Sequence, residues 1–277
     1  MIARLALSGM RQAFTWLVVA VITFPLFWIA STAFRPETEL FVRPPRFLPQ
    51  HYTLENFTKL IVDTPFLTYF RNSAIVALLT TAMVIGVGVL AAYSLVRFRN
   101  RAQRVVERAI LVTYLLPSVV LFLPIYLILS KLGLVNSLFG LVIAYTTFAL
   151  PFAVWLLRSF IEAIPVEVEL AAMVDGASRM EAFFDVVLPQ ALPGIISTAL
   201  FTFILAWNEY LYALVLTNAD SAKTLPPGVM TILTSSYNIE WGMLMAASVL
   251  MSLPLILSFA FMQRHLTRGF GAGAVKG

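Results

Sequence analysis

Six long apolar stretches divide this chain, and they constrain its fold more than any other feature. A helix needs about 20 apolar residues to cross roughly 30 Å of hydrocarbon. The stretches that are long enough lie at about residues 13–34, 73–96, 109–130, 137–157, 192–217 and 241–262. Five of the six contain no charged residue. They predict an all-α membrane protein with six transmembrane helices.

The N-terminal stretch has a second possible interpretation, because Arg4 and Arg11 precede it as basic residues precede the apolar core of a signal peptide. That core is about 7–15 residues long, shorter than the run found here. Since five further spans follow, we interpret it as a retained helix.

Composition agrees with a chain whose main solvent is lipid. Hydrophobic residues make up 60% of the 277 residues and charged residues 12%, whereas soluble domains carry about 25% charged residues. The chain has no cysteine, which excludes disulfides and thiolate metal sites. The net charge of +5 comes largely from arginines that flank the apolar stretches. It therefore indicates the lipid bilayer as a partner, and not nucleic acid.

The distribution of basic residues predicts the orientation. With the N-terminus inside the cell, twelve Lys and Arg residues fall on the inner side and seven on the outer side. A dense inner cluster lies between the second and third stretches, at Arg97, Arg99, Arg101, Arg104 and Arg108. Because inner loops are enriched in Lys and Arg, both termini are predicted to be cytoplasmic.

Prolines lie inside several of the predicted spans, at Pro25, Pro117, Pro124, Pro151 and Pro254. Each removes a backbone donor and tends to kink a helix, and neighbouring helices can compensate for the lost bond. Two interpretations stay open: ordinary membrane-helix composition, or helices bent around a pathway.

The segment between the fourth and fifth stretches is too polar to span a membrane and too regular for a linker. It reads IEAIPVEVELAAMVDGASRMEAFFDVVLPQALPG, and its pattern lies in residues 161–190. Pro165 suits the first turn of a helix, and Glu167 and Glu169 favour its positive end. Gly176 is placed to terminate that helix. One side is predicted to be apolar, with Val166, Leu170, Met173, Val174 and Ala177.

A second short helix is predicted to follow directly. Ser178 and Glu181 have the spacing of a capping box. Pro189 and Pro193 are predicted to end this helix and to open the fifth span. Its apolar face would contain Met180, Phe183, Phe184, Val187 and Leu188. The two helices would lie parallel to the membrane on its cytoplasmic side.

Charge indicates what covers these apolar faces. Residues 162–185 contain six acidic residues and one basic residue, Arg179. Helices that lie on a membrane surface favour Lys and Arg on their polar face, so anionic lipid would repel this segment. A groove on a partner protein is the better fit.

Segment 161–190 also resembles the EAA loop of bacterial ABC importer permeases. The family pattern is E-A-A, three residues, Gly, nine residues, Ile, one residue and L-P. The matching positions are Ala171, Ala172, Gly176, Val186 (in place of Ile), Leu188 and Pro189. The chain departs from the pattern at Leu170, which occupies the usual glutamate position with Glu169 just before it. The resemblance therefore does not imply a specific ion pair from that position.

In the family, this loop forms a coupling helix that docks into a cleft on a cytoplasmic ATPase. The resemblance implies an ATPase-coupling role for a set of residues within segment 161–190. They are Glu169, Leu170, Ala171, Ala172, Asp175, Gly176, Ala177, Phe183, Val186, Leu188 and Pro189.

Softer matches run along nearly the whole chain in the family's order. FRPETELFVRPPRFLP, TLENF, FLTYFRNSAIVA, WNEYLYALVLT and the terminal GAGAVKG resemble the carbohydrate-type permeases. The resemblance implies one type I importer permease domain over residues 1–277 in a bacterial or archaeal cytoplasmic membrane. It also implies a second homologous permease subunit, a homodimer of ATP-binding subunits and an extracytoplasmic sugar-binding protein, which would approach the long outer loop at residues 35–71.

The chain lacks the G-x-x-x-x-G-K-[ST] pattern of a P-loop, so it has no such cradle for ATP phosphates. No nucleophile–base pair or carboxylate dyad stands out. We expect no catalytic residue, metal or cofactor in this subunit, and we expect ATP and magnesium on the partner ATPase.

Glu209 is the one acidic residue within the six stretches. A charge at the membrane centre costs about 2.5–3.5 kcal/mol on insertion scales. At 1.5 Å per residue, Glu209 lies about 26 Å along a helix from residue 192, in the outer half. It could form a helix–helix hydrogen bond near the outer interface, or it could accept a sugar hydroxyl or act as a gate.

The candidate residues for a substrate pathway are Trp207, Asn208, Glu209, Tyr210 and Tyr212. The aromatic residues could equally belong to an interfacial belt or to a surface that stacks on sugar rings.

Three functions are compatible with these patterns. The leading hypothesis is a permease that imports a sugar or oligosaccharide by alternating access. The same machinery could instead import glycerol 3-phosphate or another phosphorylated polyol, which would favour a basic residue in the outer half of the bundle that this chain lacks. An ion-coupled secondary transporter would require several intramembrane ionisable groups, and Glu209 alone gives it little support.

Overall fold

A computed structural model describes the backbone of residues 2–98, 100–235 and 240–273, and the side chains of residues 9–98, 100–233 and 240–263. The described residues form helices and turns, without a strand, and the all-α prediction is confirmed. Arg99 and the side chains of the terminal GAGAVKG motif lie outside the described residues.

The helices differ in length from one to nine turns. They are α1 (Ile2–Ala33), α2 (Glu55–Val62), α3 (Phe66–Arg97), α4 (Arg101–Leu115), α5 (Ser118–Lys131), α6 (Leu138–Glu162), α7 (Val166–Val174), α8 (Arg179–Ala182), α9 (Leu188–Trp207), α10 (Leu211–Leu216), α11 (Leu225–Ser235) and α12 (Trp241–Gly273). A 3-10 turn at Glu37–Glu39 precedes α2, and a π-helical turn at Phe183–Val187 joins α8 to α9.

Five helical runs among the described residues are long and apolar enough to cross a membrane, or six if a bent pair counts as one span. The bent pair is α4 and α5, which meet at 105°. The span predicted over 109–130 therefore corresponds to two helices bent at Pro117, and not to one straight helix. Leu116 is extended (φ −74°, ψ 126°) because the ring of Pro117 disfavours a helical residue before it. Pro25, Pro124, Pro151 and Pro254 lie inside continuous helices.

The predicted fifth span over 192–217 is also incorrect at both ends. The helical run begins at Arg179, passes through the π-turn without interruption, and ends at Trp207. The chain then resumes as α10 after a three-residue break.

The contacts of the chain separate into two units. One contains residues 1–67 and 229–254, and the other contains residues 68–228 and 255–277. In the first unit, Asn56 on α2 terminates α1, because its Nδ2 donates to the carbonyl oxygens of Ala33 (2.9 Å) and Arg35 (2.7 Å). The Arg35 guanidinium stacks 5.1 Å from the Trp28 ring and donates to the carbonyl oxygen of Arg46. These bonds organise the start of the long loop that follows α1.

The core of the second unit forms where α3, α6 and α9 meet. Helix α6 lies at the centre of this core. Of its apolar stretch, 61% is buried, whereas 33% of the apolar stretch of α3 is buried. Ala92, Leu157 and Val187 are completely buried in this core. Gly194 lets α9 approach α6 closely, because a Cβ there would lie 2.3 Å from the ring of Phe160.

Candidate functional site

Helix α7, the first helix of segment 161–190, has fixed ends. Pro165 occupies its N-cap, one position before the first turn in which it was predicted. Gly176 ends the helix with a positive φ of 102°, which confirms its predicted role. The amide of Ala177 donates to the carbonyl of Ala172 (3.0 Å) and that of Gly176 to Met173 (3.2 Å), the pattern of a Schellman motif.

The second helix of the segment starts as predicted but does not end as predicted. Ser178 and Glu181 form the capping box, with their reciprocal bonds at 3.3 and 2.7 Å. Pro189 does not end the helix, because the π-turn before it shifts the bonding pattern. The amide of Leu188 donates to Phe183, five residues back, and this wider turn accommodates the missing donor and the ring of the proline.

Glu169 is buried in the interior of the unit, with 1% of its surface exposed. Tyr93 Oη donates to Glu169 Oε1 at 2.5 Å, and Arg97 Nε donates to Glu169 Oε2 at 2.7 Å. Arg179 Nη1 lies 3.7 Å from Oε1. A carboxylate that is this deeply buried needs charged and hydrogen-bonding partners, and all of these come from the chain itself.

The apolar residues of α7 behave differently, and most of them face away from the core. Val166, Leu170 and Val174 are 41%, 47% and 86% exposed. They follow one another at i, i+4 and i+8 and so form one stripe along the helix, the apolar stripe of α7. Met173 and Ala177, predicted on the same side, are half-buried.

The other predicted coupling residues divide between interior and surface. Phe183 is 2% exposed and packs 4.6 Å from the ring of Tyr93, so its side chain serves the core of this chain. Val187, predicted on the apolar face of the second helix, is also buried. Half-buried positions are Ala172, Val186 and Leu188, and exposed positions are Ala171, Asp175, Gly176 and Pro189. Met180 and Phe184 are 60% and 52% exposed.

Glu209 lies in the break between α9 and α10. Its two carboxylate oxygens accept the amides of Tyr212 (2.9 Å) and Ala213 (3.0 Å), the first free donors of α10. This local capping bond explains why the helix predicted over 192–217 is interrupted. The two roles that the sequence suggested for Glu209, a helix–helix hydrogen bond or a sugar-hydroxyl acceptor or gate, stay predictions beside this capping contact.

The aromatic residues among the candidates for the substrate pathway are mostly buried. Trp207 is 2% exposed and packs edge-on against Phe70 at 5.4 Å. Tyr212 is 2% exposed, and its hydroxyl donates to the carbonyl of Ser118 at 2.7 Å. Tyr210 is 39% exposed, and Asn208 is exposed with its Nδ2 donating to Ile204. The structure therefore does not bring the five candidates onto one surface.

Sequence reasoning assigned no role to two sets of polar contacts that hold this unit together. Tyr93 and Arg97 bind Glu169, and no local pattern could have paired them. Asn72 is completely buried, and its Nδ2 donates to the carbonyls of Ser221 (2.9 Å) and Lys223 (2.8 Å). The FLTYFRNSAIVA motif that contains Asn72 was the available signal. Within the described part of the chain, no three His, Cys, Asp or Glu side chains are grouped so that they could hold a metal ion.

A comparison with solved structures finds the same fold in another protein. A crystal structure of a bacterial ABC transporter involved in the import of the acidic polysaccharide alginate contains a chain that superposes with a TM-score of 0.81. The two are 21% identical, over 94% of this chain and 96% of that one. At this identity, the likeness is one of fold.

Two relatives extend the comparison to sequence. The diacetylchitobiose uptake system permease protein DasC of Streptomyces coelicolor is 35% identical over 256 residues, which is 92% of each chain. The trehalose/maltose transport system permease protein MalG of Thermococcus litoralis is 33% identical over 263 residues, 94% of each chain. Residues 84–271 match the family model of the binding-protein-dependent transport system inner membrane component. The chain therefore belongs to that family, among the carbohydrate permeases of ABC transporters.

Proposed function

We propose that this chain carries a disaccharide-sized sugar across the cytoplasmic membrane by alternating access, driven by a separate ATPase that binds segment 161–190. The names of its two relatives support the cargo, because diacetylchitobiose, trehalose and maltose are all disaccharides. Family membership supports an importer over an ion-coupled transporter, since the family is named for its dependence on a binding protein.

The observation that carries the coupling proposal is the apolar stripe of α7. Three large apolar side chains stay exposed on a helix whose two ends are fixed by Pro165 and the Gly176 turn. An exposed stripe of this kind, next to the exposed acids Asp175 and Asp185, suits a groove with an apolar floor and a basic rim. The ATPase subunit supplies that groove.

The assembly that follows has two permeases, of which this chain is one, two ATP-binding subunits with ATP and magnesium, and an external sugar-binding protein. Closure of the ATPase pair moves α7, and the permease pair turns its cavity outward to receive the sugar. Both termini and segment 161–190 lie on the cytoplasmic side. The whole chain acts as one permease domain.

Along the pathway, Asn208 and Tyr210 are the candidates that a sugar can reach, because their side chains are exposed. Tyr210 offers a ring for stacking and Asn208 an amide for hydroxyl groups. Glu209 holds the break between α9 and α10 and so positions both of them.

Two valines of α7 provide a matched test of docking. Val174 belongs to the apolar stripe, whereas Val168 is 42% exposed on another side of the same helix. Val174→Asp should abolish co-purification of the ATPase and ATP-dependent uptake, while Val168→Asp should retain both. Co-purification that survives Val174→Asp, or is lost equally in the two variants, would rule out the stripe as the docking surface.

Competition for uptake decides the cargo. Trehalose, maltose and diacetylchitobiose are expected to compete with the transported sugar, and glycerol 3-phosphate is not. Inhibition by the phosphate ester alone would favour the phosphorylated-polyol alternative.

A further inference from the structure

The Glu169 carboxylate joins α7 to a helix that is distant in the sequence. Its two hydrogen-bond donors, Tyr93 and Arg97, lie in the last turns of α3, 76 and 72 positions earlier. The Arg97 and Glu169 side chains are only 7% and 2% exposed. The pair is therefore enclosed by this chain and has no surface left for a partner protein.

Arg97 at the end of α3 and Phe98 directly after it also contact residues on both sides of α7. Arg97 Nη2 donates to the carbonyl oxygen of Ile164 at 3.1 Å, in the turn that precedes α7. Beyond α7, the Arg179 guanidinium stacks 5.3 Å from the ring of Phe98. These contacts attach the entire first helix of the segment to α3.

Helix α7 is linked to its sequence neighbours by the turns at residues 163–165 and 175–178, and it also packs against α8 and the π-helical turn. The buried pair adds a direct link to α3, because separating Glu169 from Arg97 would leave a buried charge without its partner, which is costly. A displacement of α7 is therefore expected to move α3.

This arrangement deepens the proposed function and rests on it. We infer that Glu169 is a positioning residue, an internal strut through which α7 moves α3, and that it does not contact the ATPase. The apolar stripe of α7 contacts the ATPase, and the pair of Glu169 and Arg97 transmits the movement of α7 to α3.

Cysteine labelling can follow α3 directly, because the chain contains no cysteine. Leu90 lies on α3 and is 51% exposed, so Leu90→Cys provides the one reactive site of this chain, and labelling is measured on this chain after the subunits are separated. The complete transporter is purified with its ATPase, and the rate of maleimide labelling is compared with and without ATP and vanadate. ATP should change the rate by about tenfold, within the range of ordinary coupling between sites.

Glu169→Gln is the decisive variant, and Glu167→Gln is its control, because Glu167 is an exposed acid on the same helix. Glu169→Gln should keep the ATPase bound and abolish the ATP response of Leu90→Cys. Glu167→Gln should keep the ATPase bound and should also keep the ATP response of Leu90→Cys. If Glu169→Gln is poorly folded, Tyr93→Phe removes one hydrogen bond from the same carboxylate and should reduce the response in part.

Three outcomes would overturn the inference. The ATP response could persist in Glu169→Gln, the ATPase could dissociate in Glu169→Gln as in Val174→Asp, or ATP could leave the labelling of the parent transporter unchanged. Failure of the proposed function is recognised separately, since the ATPase would then stay bound in Val174→Asp whatever Glu169 does.

Discussion

Glu169 and Leu170 are neighbours in the chain, yet Glu169 is 1% exposed and Leu170 is 47% exposed. Successive residues of a helix point about 100° apart, so a shift of one position exchanges the interior for the surface. In this chain the charge occupies the inner position and an apolar side chain occupies the family's usual glutamate position. The neighbouring Glu169 forms its ion pair within this chain, with Arg97.

The turn after α7 should be destabilised when residue 176 carries a side chain in place of Gly176. Its φ of 102° is strained for any L-residue, although a Cβ there would meet no atom within 4 Å. Gly176→Val should cost at least about 1–2 kcal/mol through the backbone and should abolish uptake. Gly86→Ala is the control, because Gly86 has equally open surroundings without a positive φ. Normal uptake and normal ATPase binding in Gly176→Val would contradict the role assigned to this turn.

The buried amide of Asn72 should be a major contribution to stability. Asn72→Ala removes the donor to the carbonyls of Ser221 and Lys223, and each lost hydrogen bond should cost about 0.5–1.5 kcal/mol. The midpoint of thermal unfolding in detergent should fall clearly. Asn218 is exposed, and Asn218→Ala should leave the midpoint unchanged. Equal midpoints for the two variants would show that these bonds contribute little.

Glu209 should behave as a helix cap. Glu209→Ala removes the acceptor of two amides of α10 and should cost about 0.5–2 kcal/mol, typical of a lost cap. Glu209→Gln keeps one acceptor oxygen and should lose less. Thermal unfolding checks this, with a lower midpoint in Glu209→Ala and a smaller decrease in Glu209→Gln. A raised KM with unchanged stability would instead assign Glu209 to sugar binding.

The loop that contains Asp220 should weaken in acid. Hydrogen bonds from Lys223 Nζ and Tyr69 Oη, both at 2.9 Å, hold the pKa of Asp220 below its ordinary value of 3.8. Because the folded pKa is lowered, this contribution is present above about pH 4, the ordinary aspartate range, and is lost as the pH falls through the folded pKa.

Hydrogen exchange of residues 217–224 measures the effect of acid on this loop. Protection should decrease below about pH 4 in the native chain, and Asp220→Asn should show low protection at every pH. Asp63→Asn is the control, because Asp63 is exposed and lies in the other unit. A native loop whose protection does not change with pH would contradict this assignment.

Much of the fold could be predicted from the sequence because it depends on local physics. Length and hydropathy predicted the apolar helices, since a membrane excludes unpaired backbone groups from its core. The caps at Gly176 and Ser178 were also predictable, because each cap is formed by residues within one turn of the helix end. The cytoplasmic location of both termini, which rests on the distribution of Lys and Arg, stays a prediction.

The interruptions of the helices were harder to predict. Six prolines lie in the apolar stretches. One of them, Pro117, ends a helix, while the other five, which include Pro193, are accommodated within continuous helices. The residues around each proline do not indicate whether the helix ends there or continues through it. The π-turn before Pro189 shows a further way in which a helix accommodates a proline, by widening by one residue.

The sequence by itself determined a multi-pass helical membrane protein with a patterned segment before its fifth span, because spacing, capping and hydropathy act over a few residues. Only the tertiary structure decided which residues of that segment face inward. Burial of Glu169 requires Tyr93 and Arg97, more than seventy positions away, and burial of Phe183 requires the same helix. A buried charge is stable only where distant partners converge on it, and that convergence is a property of packing.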